Sequence, residues 1–125
     1  MEKQKTILLI DDDPRNIYAL SAVLRSKGFH LHTAPSATEG IALMRREPSI
    51  AVVLLDVMMP DMDGYEALRM MKEDPALQTV PVFAVTAQAM VGDRERCLQA
   101  GADEYVPKPV DVDLLLQLLK THNVV

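Results

Sequence analysis

The sequence predicts an open α/β fold, with five parallel strands in one sheet and helices on both of its faces. Three observations carry this expectation. Apolar runs rich in Val, Ile and Leu recur at Thr6-Ile7-Leu8-Leu9-Ile10, Ala51-Val52-Val53-Leu54-Leu55 and Val80-Pro81-Val82-Phe83-Ala84-Val85. They lack the polar alternation of a strand with one wet face, so they fit strands covered on both sides. Each is followed by a stretch with apolar residues at helical spacing. The three runs also end in polar side chains, Asp11, Asp56 and Thr86, at the sheet edge where open α/β folds bind ligands.

The elements follow in order. The first strand, Thr6–Ile10, runs into Asp11-Asp12-Asp13. Asp13 is the expected N-cap of a helix with Pro14 in its first turn. Ile17, Leu20, Val23 and Leu24 form its apolar stripe, and Lys27-Gly28 stops it. Phe29-His30-Leu31-His32-Thr33 alternates and reads as a short strand. Ser36-Ala37-Thr38-Glu39 is a capping-box pattern opening a helix with Ala37, Ile41 and Met44 on one face, closed by Arg45-Arg46-Glu47-Pro48. Ala51–Asp56 is the third strand. A helix after Gly64 carries Ala67, Leu68 and Met71 and ends near Lys72, with a turn at Asp74-Pro75. Val80–Thr86 is the fourth strand, and Gly92 to Ala100 is a polar amphipathic helix stopped by Gly101. Glu104–Pro107 is a short fifth strand ending at Lys108-Pro109. Val112, Leu115, Leu116 and Leu119 stripe the last helix. Strand and helix alternate five times, which implies right-handed crossovers. The flavodoxin-like doubly wound order 2-1-3-4-5 is the expected one.

With 125 residues, the chain reads as one domain over 1–125. Its 49% apolar and 25% charged content is that of an ordinary globular protein. A net charge of −5 without clustered Lys and Arg argues against nucleic-acid binding. The lone Cys97 leaves no internal disulfide and fits a reducing, cytoplasmic setting. No apolar run approaches the ~20 residues of a membrane span.

In the expected order the first and third strands are neighbours, so Asp11, Asp12 and Asp56 should meet. Carboxylates this close repel one another, and a divalent cation is the natural remedy. An all-oxygen set with few protein ligands suits Mg²⁺ better than Ca²⁺. With Thr86 and Lys108 ending neighbouring strands, the set describes a phosphoryl site. Asp56 is the candidate nucleophile, Lys108 neutralises phosphoryl oxygens and Thr86 hydrogen-bonds one of them.

Together, Ile7-Leu8-Leu9-Ile10-Asp11-Asp12-Asp13, Leu55-Asp56-Val57-Met58-Met59-Pro60-Asp61-Met62-Asp63-Gly64, Val85-Thr86-Ala87 and Lys108-Pro109 make the chain resemble a response-regulator receiver domain of two-component signalling. The resemblance covers essentially the whole chain. Receivers are among the proteins with the flavodoxin-like strand order, so the fold expectation and the resemblance are linked. The stretch from Ala89 to Ala102 is similar to receivers of hybrid histidine kinases and to some free-standing ones.

The resemblance implies that Asp56 accepts phosphate from a phosphohistidine of a histidine kinase or histidine phosphotransfer protein. It implies that Asp12 holds Mg²⁺ directly and Asp11 through water, with Asp56 and the backbone carbonyl of Met58 completing the protein ligands, and that Mn²⁺ substitutes. Thr86 and Lys108 read the phosphoryl group. Tyr105 is the aromatic switch, and a downstream protein reads the face of the fourth helix, fifth strand and fifth helix. The Lys108-Pro109 peptide is expected to be cis. Met58 and Gln88 flank the site and, in the family, influence hydrolysis of the acyl phosphate. Such a chain is a switch rather than an enzyme on a separate metabolite, with at most self-phosphorylation from small donors and self-dephosphorylation. It reads as a free-standing receiver or as one taken from a larger kinase.

Other readings are weaker. Asp13 is explained by capping alone, and Asp61 and Asp63 are expected turn residues around Gly64. His30 and His32 share a strand face but lack a third ligand. Cys97 is expected on a helix face rather than as a nucleophile. Met58, Met59, Met62, Met70, Met71 and Met90 are expected mainly as core filling, with exposed members suiting an adaptable surface. A haloacid-dehalogenase-like phosphohydrolase would need an Asp two residues after the nucleophile, where Met58 stands. A flavin-binding module would need a Ser/Thr/Gly-rich loop where the chain has Asp11-Asp12-Asp13.

Overall fold

The computed structural model describes residues 5–58, 64–87 and 92–124. Five strands and five helices alternate: β1 (Thr6–Ile10), α1 (Pro14–Ser26), β2 (His30–Ala34), α2 (Ala37–Arg46), β3 (Ile50–Asp56), α3 (Gly64–Glu73), β4 (Val82–Thr86), α4 (Asp93–Gln99), β5 (Glu104–Pro107) and α5 (Val112–Thr121). The strands form one sheet in the order β2-β1-β3-β4-β5, and every pair is parallel. This is the expected flavodoxin-like topology.

The period of two along each central strand sorts the core into two layers. Leu8 and Ile10 of β1, Val53 and Leu55 of β3, and Val82 and Ala84 of β4 face α2, α3 and α4. Ile7, Leu9, Val52, Leu54, Phe83 and Val85 face the other way, towards Leu24 of α1 and Leu115 and Leu119 of α5. Both sides of β1, β3 and β4 are therefore dry, which is why their sequences run apolar without alternation. A fully buried leucine contributes about 1.5–3 kcal/mol by leaving water, so the central strands anchor the site at their C-terminal ends.

Helix starts follow local chemistry. The Asp13 side chain accepts from the Arg15 N–H at 2.9 Å, and Ser36 accepts from Glu39 N–H at 3.2 Å. Asp111 caps α5 through the Leu114 N–H at 3.3 Å. Helix α4 starts differently, on Gly92 at φ 88° with no side-chain cap.

Some boundaries differ from the sequence expectation. β2 starts at His30, because the Phe29 N–H is used by the Leu24 carbonyl at the end of α1. It extends to Ala34, which pairs with Ile10. β4 starts at Val82, because the Val80 N–H closes a turn onto Leu77 and Pro81 has no N–H to donate. In α1, Ser21 is buried beside Leu24, whereas Ile17 and Leu20 are only partly buried.

Gly64 opens α3 against Val57, the residue that follows Asp56. A Cβ there would stand 2.3 Å from Val57 Cα and 2.7 Å from the Val57 carbonyl oxygen. Both are backbone atoms, so the chain next to Asp56 would have to move. Gly64→Ala is expected to cost about 1–3 kcal/mol, read as a lower urea midpoint at unchanged slope.

Candidate functional site

Strand ends bring the predicted residues together. Asp11 follows β1 and donates its N–H to the Ala34 carbonyl at 3.1 Å. Asp56 ends β3, and the next residue, Val57, donates its N–H to Val85 of β4. Thr86 ends β4 and is fully buried. Its carbonyl accepts the Lys108 N–H at 2.7 Å, which carries Lys108 over the end of the sheet just after β5. The Lys108-Pro109 peptide is cis, as expected.

One oxygen each of Asp11, Asp12 and Asp56 lies within 4.8 Å of the others. Asp11 and Asp56 are buried while Asp12 is exposed. The Lys108 ammonium stands between the two buried carboxylates, 3.2 Å from Asp11 Oδ2 and 3.2 Å from Asp56 Oδ2. The other oxygens are fixed by main chain: Asp13 N–H to Asp11 Oδ1 and Met58 N–H to Asp56 Oδ1, both 2.9 Å. The carboxylates are thus oriented before any ligand arrives. A cavity of about 250 Å³ opens beside them, with apolar walls that include Leu20, Val23, Val85 and Val110.

Burial dominates at Asp56 and raises its pKa above the ordinary carboxylate value. The Met58 N–H and the Lys108 charge pull it down, and the Asp11 charge pushes it up again. Burial also works against the Lys108 ammonium, but Asp56 and Asp11 together outweigh it and raise its pKa. Among the described residues, the cluster is short of positive charge: Lys108 is shared by two buried carboxylates, with Asp12 beside them.

That shortage is the test of whether a divalent ion fits. The donor set is all oxygen, compact and underneutralised, which suits a hard cation. Among the described residues, no other group of His, Cys, Asp and Glu meets the same spacing. His30 and His32 lie on the edge strand β2 outside any such group.

Tyr105 lies in β5 opposite Ala84 and is partly buried. Its hydroxyl donates to Asp93 Oδ2 at 2.9 Å. Tyr65 of α3 donates to Asp93 Oδ1 at 2.7 Å. No local sequence signal links these residues, because the contact spans three elements. Cys97 is fully buried and its thiol pKa is raised by burial and by the Asp93 charge, so the thiolate is disfavoured. Met71 is core, while Met58 and Met70 are exposed at 43% and 45%. Met59, Asp61, Met62, Asp63, Gln88 and Met90 lie outside the described residues.

Residues 7–120 match the family model described as "Response regulator receiver domain". The chain is 35% identical over 114 residues to the signal transduction histidine-protein kinase BarA of Escherichia coli, covering 91% of this chain and 12% of that protein. It therefore spans only a small part of BarA. It is 37% identical over 113 residues to Protein PilH of Pseudomonas aeruginosa, covering 90% of this chain and 93% of that one. Among solved structures it is similar to the receiver domain of a Pseudomonas aeruginosa sensor histidine kinase with a magnesium ion coordinated in its active-site cleft. The TM-score is 0.84 at 34% identity, over 94% of this chain and 95% of that one.

Proposed function

Because the chain belongs to the response-regulator receiver family of two-component signalling, we propose that Asp56 is its phosphoacceptor and that the donor is a phosphohistidine on a histidine kinase or histidine phosphotransfer protein. The observation that carries this reading is the Lys108 ammonium, 3.2 Å from both buried carboxylates. It lies where negative charge collects when a phosphoryl group joins Asp56.

The step is a displacement at phosphorus. A carboxylate oxygen of Asp56 forms the new P–O bond while the P–N bond to the donor imidazole breaks. The bonding pair returns to the ring nitrogen, which takes a proton from solvent. No general base is required, because the attacking group is an anion. The Met58 N–H holds Asp56 Oδ1 and so fixes the orientation of the carboxylate. Lys108 neutralises the phosphoryl oxygens, and the Thr86 hydroxyl hydrogen-bonds one of them.

Asp11, Asp12 and Asp56, with the main-chain carbonyl of Met58, would hold Mg²⁺, with Mn²⁺ as substitute. When bound, the ion supplies positive charge against the transferring oxygens. Phosphorylation then biases Thr86, Tyr105 and the face of α4, β5 and α5, where a downstream protein reads the state. The chain acts as a cytoplasmic switch, and its turnover is limited to self-phosphorylation from small donors and self-dephosphorylation. Among the described residues, no helix is long and apolar enough to cross a membrane.

The test is intact-mass spectrometry after incubation with acetyl phosphate and Mg²⁺. One added phosphoryl group is expected, and an unchanged mass overturns the reading. In a parallel melt, Mg²⁺ alone should raise Tm, with about 2.7 kcal/mol of stabilisation at a hundred times its Kd. EDTA should reverse the rise.

A further inference from the structure

The carboxylate of Asp93 has no part in the acceptor site, yet it joins three elements. It is the first residue of α4. One oxygen accepts the Tyr65 hydroxyl of α3 at 2.7 Å, and the other accepts the Tyr105 hydroxyl of β5 at 2.9 Å. The Arg96 guanidinium lies 4.1 Å from the centre of the Tyr65 ring, a cation–π contact that steadies the first donor. Burial and the bond to Asp93 push the Tyr105 hydroxyl up to about 12 and raise that of Tyr65 as well, so both remain donors at neutral pH.

We propose that Asp93 is a positioning residue for the phosphoryl switch: by holding Tyr105 against α4, it weights the chain against the arrangement that accepts phosphate. The proposal rests on the acceptor reading of Asp56 given above. Tyr105 stands beside β4, across from Ala84 and two residues before the partner of Thr86. Movement of its ring away from α4 breaks a charge-assisted hydrogen bond. A contact made in only one of two arrangements lowers the apparent affinity of any ligand that selects the other.

The experiment is titration of the full chain with beryllofluoride in excess Mg²⁺, followed by tyrosine fluorescence. The sequence has three tyrosines and no tryptophan, so the signal comes from few rings. Asp93→Ala is expected to bind about tenfold more tightly than the parent, on the order of one charge-assisted hydrogen bond. Tyr105→Phe should shift affinity the same way, and the double variant should gain no more than either single change.

A merely structural Asp93 would give the opposite sign, a lower Tm together with weaker binding. If Asp93→Ala does not fold, Asp93→Asn decides. It keeps the volume but has one carbonyl oxygen for two hydroxyls, and partial tightening is expected. Equal or weaker binding in the folded variant overturns the proposal while leaving the acceptor reading intact. A parent chain that takes no beryllofluoride overturns both.

Discussion

Asp56→Asn is expected to abolish phosphoryl incorporation from acetyl phosphate while leaving the metal-free protein at least as stable as the parent. The first outcome follows from chemistry, because an amide oxygen is a poor nucleophile and Asp56 is the carboxylate that ends β3. The second follows from linkage. Burial in the folded state raises the Asp56 pKa above the ordinary carboxylate value, so the native chain holds that proton more tightly than the unfolded one. Stability associated with this group is fully present below the unfolded pKa and is lost as pH rises through the folded pKa. The parent loses that contribution as Asp56 ionises in the folded chain, and the neutral amide does not. Intact mass and a melt in EDTA at pH 7 check the two halves. A variant that still gains a phosphoryl group at one other residue would move the acceptor elsewhere.

Lys108→Met is expected to be the most damaging single change at the site. Among the described residues, the ammonium is the one cation bridging two carboxylates whose side chains are only 4% and 6% exposed. Removing it leaves them buried against each other, and breaking a buried ion pair from one side costs about 3–5 kcal/mol. A methionine preserves the apolar stem but supplies no compensating charge. Two conditions should return part of the loss. Acidification protonates Asp56, whose pKa burial holds above the ordinary carboxylate value, so the gap between variant and parent should close as pH falls. Mg²⁺ should stabilise the variant more than the parent, because the ion replaces the missing charge. Phosphoryl transfer should still fall by about 10²–10³-fold, as when one preorganised donor to a developing anion is removed. Urea midpoints at pH 4 and pH 7, with and without Mg²⁺, separate these terms. A gap that widens on acidification would contradict the electrostatic account.

Much of this was legible in sequence because the strands are buried on both faces. Val52 to Leu55 has no polar residue to alternate with, so the run points to a covered strand, and the polar residue that ends it stands out. Asp11, Asp56, Thr86 and Lys108 were found as interruptions of apolar runs or as their termini, and parallel topology gathers such termini at one edge. Less legible was whatever depends on atoms meeting across elements. Ser21 is buried in α1 because it shares a helical face with Leu24, and a hydrophobicity pattern passes over it. Its Oγ has no hydrogen-bond partner among the described residues. β2 and β4 start one and two residues later than the apolar runs, because turns claim the Phe29 and Val80 N–H groups and Pro81 has none. Asp93 reads as an ordinary acidic residue in a helix's first turn, and only the approach of Tyr65 and Tyr105 sets it apart.

Helix α4 buries one side chain, Cys97, and starts on a glycine that offers no side-chain cap. Beyond that thiol, its first turn is moored by the two tyrosine hydroxyls on Asp93. With one buried side chain in seven residues, α4 is expected to have a local opening cost well under that of global unfolding. Its amides should trade hydrogen for deuterium sooner than those of α3, which buries Tyr65, Ala67, Leu68 and Met71. The acidic pocket sits at the ends of strands buried on both faces, and α4 lies on the flank that gives way first.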